Sequence, residues 1–504
     1  MRVVMAASEM VPYAKTGGLA DVIGALPRAL SRLGIDVTVV LPKYQSITAQ
    51  RFPLRRTEWV LQVPVSSQTV NAVVLQSELD DQIPVYLIEA DQYFARPGLY
   101  GTPDGDYLDN AERFAFFGRA IPALLQRLGA PDVLHCHDWQ TALAPVFLRT
   151  DPSRYPDLAG VRTVLTVHNL GYQGQFWHFD WHLLNIEWRY FTADWLEFYG
   201  KINYLKGGLV CADAITTVSP TYAKEIQTAE LGHGLDGVLV AHRKTLTGIL
   251  NGVDYSEWSP EHDPHIAAPY SADDLSGKAA CKADLQTAAG LPLDSTVPVI
   301  GIVSRLVDQK GFDLIAVIAP RLLRKRVQII VLGSGEVRYQ DLLLSLQRQF
   351  KKRLAVQVGF DNVLAHKIEA GSDMFLMPSR YEPCGLNQMY SLRYGTLPIV
   401  HATGGLEDTI IEFNPRSGQG TGFKFAAYTA DALMTCISRA LRSYRNAPGW
   451  NTAMRNAMLA DFSWEHSAEA YADLYKRLSA EGSLDGGLRN GRAADILHSA
   501  RFVR

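Results

Sequence analysis

Basic residues lie beside glycines at two points where a helix is predicted to begin. Lys15 precedes Gly17 and Gly18 in "YAKTGGLADV", and Arg305 and Lys310 precede a helical pattern in "IVSRLVDQKGFDLI". The first N–H groups of a helix are unsatisfied and carry partial positive charge, so they suit phosphate oxygens. Arginine adds forked donors and lysine a compact charge. These residue types predict a diphosphate site, although a glycine packing turn at Lys15 and a solvated loop at Arg305 would explain the same patterns.

An acidic residue lies at a third predicted helix start, in "LMPSRYEPCGLNQ". Glu382 follows a strand that is predicted to end at Met377, and a helix is predicted to begin at Pro383. A carboxylate there can accept hydrogen bonds from sugar hydroxyls, while the N–H groups of Gly385 and Leu386 face the same ligand. Stabilisation of the helix dipole would account for Glu382 equally well.

Two further glycine loops follow predicted strands in the second half. "VLGSGE" contains Gly333, where a ribose or phosphate could approach the backbone closely. "HATGGLEDT" supplies another Gly-Gly helix start, with Thr403, Gly404 and Gly405. Each pattern is weak by itself.

Polar and aromatic residues dominate the corresponding positions of the first half. "HCHDWQ" places Asp138 and Trp139 at the end of a strand, and "TVHNLGYQG" does the same for His168. Twelve aromatic residues then lie within residues 172–204, counting Tyr172 and Tyr204 at its ends, and Trp177 is one of them. Such groups suit sugar hydroxyls and pyranose rings. The alternatives are structural histidines and a lid with its own aromatic core, and we expect the aromatic segment to serve both purposes.

No residue pattern predicts a metal site. Asp104-Gly105-Asp106 resembles a carboxylate pair that chelates a metal with a nucleotide diphosphate, but it lies in a Gly/Pro-rich turn without a predicted strand before it. In His135-Cys136-His137, strand alternation points Cys136 away from both histidines, so ligation by all three is not expected.

Length and composition define the class of protein. A chain of 504 residues is too long to fold around a single hydrophobic core, so two large domains are expected. Lys plus Arg number 49 against 52 Asp plus Glu, which favours neither nucleic acid nor an anionic membrane as the main partner. The five scattered cysteines form no disulfide pattern, and no run predicts a secretory leader or a membrane span, so a cytoplasmic location is expected.

Strand-like runs alternate with helical patterns throughout the chain, which predicts an α/β protein with doubly wound parallel sheets, one in each half. Because ligands bind at the carboxyl ends of such strands, a cleft between the halves is the expected active site. The predicted strands span residues 3–7, 35–40, 132–136, 163–167, 214–218, 299–303, 328–332, 355–358, 374–377 and 398–400.

Taken together, the motifs resemble the bacterial glycogen synthase and plant starch synthase family over nearly all of residues 1–478. The ordered set carries the resemblance, since each motif alone is modest. It consists of "KTGGLADV", "HDW", "TVHNLGYQG", "NGVDYSEWSP", "SRLVDQKGFDL", "LGSGE", "PSRYEPCGLNQ" and "YGTLPIVHATGGLEDT".

This resemblance implies a GT-B fold, in which two Rossmann-like domains face a deep cleft. The implied parts are an N-terminal domain at 1–245 with the Lys15 loop and the acceptor site, a nucleotide-sugar domain at 246–460, a helix at 461–480 crossing back to the first domain, and a flexible tail at 481–504. The implied reaction is retaining transfer of glucose from ADP-glucose to the non-reducing end of an α-1,4-glucan, without metal or cofactor.

Site residues follow from the same resemblance, motif by motif. The implied catalytic residues are Glu382, His168, Asp138, Arg305 and Lys310. Those implied to bind the nucleotide sugar are Lys15, Gly17, Gly18, Asn251, Gly333, Cys384, Gly385, Leu386, Thr403, Gly404 and Gly405. Those implied to bind the acceptor are Tyr172, Trp177 and Trp139.

Two positions depart from the family pattern. Gln140 replaces a histidine after "HDW", and Asn387 replaces a threonine after "EPCGL". Both keep a hydrogen-bonding side chain, so they affect fine substrate preference rather than the reaction. The alternatives are a retaining transferase that uses a UDP-sugar, a nucleotide-sugar epimerase and a non-catalytic glucan-binding protein; the oligomeric state is left open.

Overall fold

The computed structural model describes residues 1–80, 82–102 and 104–484. Within these ranges the chain divides into two compact units. Unit 1 consists of Met1–Thr217, Ile226–Ile249 and the chain from Glu465 onward, and unit 2 of Val218–Glu225 and Leu250–Trp464. No helix in the described ranges is long and apolar enough to cross a lipid bilayer.

Strands of the first half run from the N-terminus to residue 248. They are β1 (Arg2–Ala6), β2 (Asp36–Pro42), β3 (Arg55–Val65), β4 (Gln68–Leu79), β5 (Ile83–Glu89), β6 (Gly101–Thr102), β7 (Gly105–Asp106), β8 (Val133–His137), β9 (Arg162–Val167), β10 (Gln175–Trp177), β11 (Glu197–Phe198), β12 (Lys201–Asn203), β13 (Ala214–Thr217) and β14 (Leu246–Gly248). The main sheet has the order β14-β13-β9-β8-β1-β2-β5-β4-β3. A small antiparallel sheet, β10-β12-β11, and the β6-β7 hairpin lie outside it.

Helices of the first half connect these strands. They are α1 (Gly18–Arg32), α2 (Asp91–Phe94), α3 (Asn110–Leu128), α4 (Leu143–Thr150), α5 (Tyr204–Cys211), α6 (Pro220–Glu225) and α7 (Asp236–Ala241), with 3₁₀ helices at Pro156–Leu158, His178–Leu184 and Trp188–Tyr190. Helix α1 forms because Leu19, Val22, Ile23 and Leu26 recur on one face, which is buried. It ends before Gly34, whose positive φ of 78° suits glycine.

The sheet of unit 1 differs in one respect from the predicted all-parallel sheet. Strands β3 and β4 pair antiparallel with each other, and β4 pairs antiparallel with β5, whereas the pairs from β5 through β14 in the sheet order are parallel. Buried and exposed residues alternate along β3 and β4, as expected for strands with one face in the core. This meander extends the edge of the doubly wound sheet.

Unit 2 contains one parallel sheet in the order β17-β16-β15-β18-β19-β20. Its strands are β15 (Val299–Val303), β16 (Gln328–Gly333), β17 (Leu354–Val358), β18 (Met374–Met377), β19 (Leu397–His401) and β20 (Phe423–Phe425). Its helices are α8 (Ser276–Ala288), α9 (Phe312–Leu322), α10 (Val337–Gln349), α11 (Asn362–Gly371), α12 (Asn387–Arg393), α13 (Gly404–Thr409), α14 (Ala430–Tyr444) and α15 (Ala447–Met458), with a 3₁₀ turn at Asp308–Lys310. Apolar runs in β15, β16 and β18 are buried, since helices cover both faces.

The last described helix, α16 (Trp464–Leu484), packs on unit 1. Its Tyr475 hydroxyl lies 2.7 Å from His135 Nδ1 on β8. The helix continues to Leu484, past the expected helix end at residue 480, and the remainder of the predicted tail, 485–504, lies outside the described residues.

Candidate active site

Five predicted site residues of unit 2 line one cavity of about 120 Å³: Arg305, Lys310, Glu382, Gly385 and Leu386. The cavity lies where β15 ends at Val303 and β18 ends at Met377, which are adjacent parallel strands. The carboxyl ends of neighbouring parallel strands meet at one edge of a sheet, so loops distant in sequence converge there.

Inside this cavity Lys310 and Glu382 form an ion pair. Lys310 Nζ lies 2.8 Å and 2.6 Å from the two Glu382 oxygens, and the Ser379 hydroxyl donates to the same carboxylate at 2.9 Å. The side chains are 18% and 7% exposed, so water screens the pair only weakly. Lys310, which is predicted to bind a diphosphate, is therefore paired with Glu382, which is predicted to bind a sugar.

The loop before α12 contributes backbone donors to the cavity. Gly385 has a φ of 72°, and a β-carbon there would lie 2.4 Å from Gln388 Oε1, so glycine is required. In the part of the chain that the structure describes, the N–H groups of Gly385 and Leu386 have no hydrogen-bond acceptor. Asn387, one of the two departures from the family pattern, donates to the Val303 carbonyl at 2.8 Å and ties the start of α12 to the end of β15. The helix begins at Asn387, four residues later than the predicted start at Pro383.

At the start of α13 the predicted backbone donors are already occupied. The Gly404 N–H and the Thr403 hydroxyl donate to Glu225, at 3.0 Å and 2.9 Å. The Gly405 N–H donates to the Glu382 carbonyl at 3.1 Å. The glycines are needed for packing, because a β-carbon on Gly404 would lie 2.0 Å from that same carbonyl oxygen. The N–H groups of Gly404 and Gly405 therefore have acceptors within unit 2, and the assignment of these residues to the nucleotide sugar stays a prediction.

The Lys15 loop of unit 1 shows the same kind of occupancy. The Thr16 hydroxyl and the Gly17 N–H donate to the buried Glu9 carboxylate, at 2.6 Å and 3.1 Å. Lys15 Nζ pairs with Asp21 at 2.6 Å, one turn into α1. The Gly17 N–H thus has an acceptor within unit 1, and its assignment to a ligand stays a prediction. Gly18 is the first helical residue, so its N–H has no intrahelical acceptor.

Asp138 and His168 come together at the ends of β8 and β9. Asp138 Oδ1 accepts the His168 N–H at 2.7 Å, and Asp138 itself has a φ of 57°. Burial raises the pKa of Asp138 to about 7, against the opposing effect of the His168 and Asn169 N–H groups. Burial lowers the pKa of His168 to about 3, so the imidazole is neutral at physiological pH. Asp138 thus fixes the backbone that carries His168.

Three further predicted residues of unit 2 have clear local environments. The Cys384 thiol is buried, which raises its pKa to about 12, and it accepts the Asn251 N–H, so it is not a reactive thiolate. Asn251 Oδ1 is buried and has no partner among the described residues. A β-carbon on Gly333 would lie 1.8 Å from the Ser304 carbonyl, so this glycine allows the loops after β15 and β16 to touch.

The aromatic segment between Tyr172 and Tyr204 divides into exposed and buried members. Tyr172 and Trp177 are 54% and 67% exposed, as a stacking surface requires. Trp181 and Tyr204 are buried, and they belong to the segment's own core. Trp139 is half-buried, with its ring 4.8 Å from that of Phe114. The segment therefore contains both exposed rings and a buried aromatic core of its own, and glucan binding by the exposed rings stays a prediction.

Metal-ligating side chains do not assemble in groups of three or more within the described ranges. Asp106 lies in β7, in a hairpin with β6 where no strand was predicted. The sequence reasoning missed Glu9, Glu225 and Ser379, which hold the predicted residues. Ser379 lies three residues before Glu382 in the same loop, whereas the contact of Glu225 with Thr403 and Gly404 depends on the tertiary fold.

Known protein families match both halves of the chain. Residues 2–241 match the family described as starch synthase catalytic domain, and residues 286–456 match glycosyl transferases group 1. The glycogen synthase of Koribacter versatilis is 52% identical over 95% of this chain and 98% of that protein. Glycogen synthase 2 of Geobacter sulfurreducens is 46% identical over 94% of this chain and 98% of that protein. This chain belongs to the glycogen and starch synthase family.

Solved structures support the same family assignment. The catalytic domain of starch synthase IV from Arabidopsis thaliana, bound to ADP and acarbose, matches with a TM-score of 0.87 and 34% identity over 95% of this chain and 99% of that one. A sucrose-phosphate synthase from Thermosynechococcus elongatus matches with a TM-score of 0.60 at 18% identity, which reflects a shared fold alone. The predicted GT-B class and the predicted family are thus confirmed, and the protein is a glycosyltransferase.

Proposed function

We propose that the protein transfers glucose from ADP-glucose to the non-reducing end of an α-1,4-glucan, with retention of the α configuration. The observation that carries the proposal is the cavity with Arg305, Lys310, Glu382 and the unpaired N–H groups of Gly385 and Leu386, in a chain of the glycogen synthase family. The related plant enzyme was solved with ADP and acarbose, which supports a nucleotide sugar and an α-glucan as the substrates.

Negative charge grows on the diphosphate as the glycosidic bond to the donor breaks. Arg305, Lys310 and the two loop N–H groups supply positive charge and hydrogen bonds that are in place before the reaction. Divalent metal is unnecessary in this scheme because the cations of the chain stabilise the leaving group. Lys15 is assigned to the same nucleotide sugar, and Asn251, with its unpaired buried oxygen, to a polar group of it.

Glu382 acts by positioning Lys310. Both of its oxygens contact Lys310, and Ser379 also donates to it, so each oxygen of the carboxylate has a partner within the protein. A retaining glycosidase would need a free nucleophilic carboxylate about 5–5.5 Å from a second one. We therefore favour front-face transfer, in which the acceptor hydroxyl attacks on the side of the leaving group and gives its proton to a phosphate oxygen. His168 and Asp138 are assigned to the sugar being transferred.

Glucan binding is assigned to the exposed aromatic residues Tyr172 and Trp177 and to the half-buried Trp139. Flat aromatic faces stack on pyranose rings, and both exposed rings are more than half accessible. The predicted cytoplasmic location is kept as a prediction.

The test is a donor panel. Purified protein is given ADP-glucose or UDP-glucose, with and without glycogen, and both nucleotide release and glucan elongation are measured. We expect nucleotide release that requires glycogen and is faster with ADP-glucose. Lys310→Met should abolish most of this activity, whereas Lys367→Met, which breaks the 2.9 Å pair with Asp284 elsewhere in unit 2, should keep it. Better turnover with UDP-glucose would refute the donor assignment, and isomerisation of the sugar without glycogen would refute the transfer reaction.

A further inference from the structure

Three histidine rings form a column in unit 1. His135 and His137 alternate with Cys136 along β8, so they share one face of the sheet, with ring centroids 4.0 Å apart. His168 directly follows β9, which pairs in parallel with β8. His137 Nδ1 lies 3.0 Å from His168 Nε2, a hydrogen-bond distance between the two imidazoles.

Both members of this pair are neutral. His137 is fully buried, and burial together with the neighbouring His135 and His168 lowers its pKa well below the usual value. Burial also lowers the pKa of His168 to about 3. Each ring therefore carries one proton, and a single hydrogen bond between them requires one ring to donate and the other to accept.

The surroundings of His137 decide which ring donates. His137 Nε2 is buried and has no hydrogen-bond partner within residues 1–80, 82–102 and 104–484. A buried N–H without an acceptor is rarer in proteins than a buried acceptor without a donor. The proton of His137 therefore lies on Nδ1, from where it is donated to His168 Nε2. With Nε2 accepting, the one proton of His168 lies on its Nδ1.

We infer that His137 is a positioning residue that fixes His168 as the Nδ1–H tautomer, so that His168 presents a hydrogen-bond donor to an oxygen of the bound sugar. The inference rests on the proposed function for the identity of the ligand. His168 is half-buried, and its Nδ1 contacts no other described residue, so this nitrogen is available to a ligand. Asp138 holds the His168 backbone, and His137 then sets the direction of the ring's hydrogen bond.

The direct test is the imidazole spectrum of the full chain labelled with ¹⁵N-histidine, in which the two-bond ¹H–¹⁵N pattern distinguishes the tautomers. Comparison with His168→Gln identifies the His168 signals. We expect the Nδ1–H form for His168 in the wild type. His137→Leu should convert it to the Nε2–H form or a mixture, and His137→Asn, which can place an amide N–H near the former Nδ1, should retain the Nδ1–H form.

Kinetics provide the second measurement. His137→Leu should lower kcat/KM for ADP-glucose about 3- to 10-fold, the range of one neutral hydrogen bond, and leave KM for glycogen unchanged, while His137→Asn restores much of the loss. The matched control is His135→Gln, on the same strand and also buried. The ring nitrogens of His135 contact Tyr475 and Thr166, not His168, so the control should keep the His168 spectrum and donor kinetics.

An Nε2–H signal for wild-type His168 would overturn the inference, and so would a His137→Leu spectrum with the tautomer unchanged. The wild-type spectrum decides the point even if the variants fold poorly. The spectrum does not depend on activity. A Nδ1–H signal in a protein that transfers no glucose would refute the proposed function and leave the tautomer assignment standing.

Discussion

The ion pair between Lys310 and Glu382 makes the proposed donor site open to a quantitative test by a double-mutant cycle. The variants are Lys310→Met, Glu382→Gln and the two combined. Each single change removes one partner of a pair whose side chains are 18% and 7% exposed. Removing one partner of a buried pair costs about 3–5 kcal/mol, and we expect about 3 kcal/mol for Lys310→Met because Ser379 still donates to the carboxylate.

Thermal unfolding measures the stability side of this cycle. For a domain of about 150–250 residues, each kcal/mol shifts Tm by about 2–4 °C, so Lys310→Met should lower the midpoint of unit 2 by about 6–12 °C. The double variant should be more stable than the sum of the single changes predicts, by about 1–3 kcal/mol, because it leaves no unpaired charge. The control Lys367→Met breaks a more exposed pair and should cost about 0.2–1 kcal/mol.

ADP titration measures the functional side. Lys310→Met should weaken ADP binding about 10- to 100-fold, since a hydrogen bond to a charged group contributes about 1.5–3 kcal/mol. Glu382→Gln should leave the affinity for ADP unchanged or increase it, because the carboxylate competes with the diphosphate for the Lys310 ammonium. The same change should lower kcat, because Lys310 is no longer held in position. If Glu382→Gln weakens ADP as much as Lys310→Met does, or if the stability effects simply add, the positioning role of Glu382 is refuted.

Four other outcomes are expected. Lys15→Gln should lower kcat/KM for the donor about 10- to 100-fold and leave KM for glycogen unchanged. The loss should be nearer about 10-fold because Lys15 is half exposed and paired with Asp21. Wild-type donor kinetics in this variant would show that the loop is only a glycine turn. Trp177→Ala should raise KM for glycogen and keep ADP affinity, whereas equal loss of both would indicate a purely structural role. Excess chelator should leave the transfer rate unchanged, and a loss that magnesium or manganese restores would refute metal independence. Glu369 is fully buried, which raises its pKa to about 8, so the folded state retains a proton that the unfolded state releases near pH 4.5. As the pH rises from about 5 to about 8, the Tm of the wild type should therefore decrease more than the Tm of Glu369→Gln. Equal decreases in the two proteins would contradict this.

The sequence predicted five of the six strands of unit 2 because their signal is local, and missed the three-residue edge strand β20 (Phe423–Phe425). The predicted ranges 299–303 and 374–377 coincide with β15 and β18, which are apolar runs between polar loops. The convergence of Arg305, Lys310 and Glu382 was also accessible, since each follows a predicted parallel strand and such ends share one edge of a sheet. The site's main cations and carboxylate could thus be chosen without coordinates.

Other features needed the fold. The antiparallel strands β3 and β4 lie at the sheet edge, and their pairing with β5 depends on the fold. Glu9 is seven residues from Thr16, and Glu225 is 179 residues from Gly404. No spacing rule predicts that these carboxylates accept hydrogen bonds from the N–H groups at the starts of α1 and α13. The contacts depend on how loops approach each other in three dimensions.

These two contacts explain why a Gly-Gly helix start is a poor guide to a phosphate site by itself. The N–H groups that attract phosphate attract a protein carboxylate equally well, and a carboxylate of the same chain needs no binding step to reach them. Glu9 at α1 and Glu225 at α13 are such occupants. At the loop before α12 the nearby carboxylate is Glu382, but both of its oxygens contact Lys310 instead. The N–H groups of that loop stay unpaired beside Lys310, so the cation that will stabilise the leaving group also keeps the backbone donors open for it.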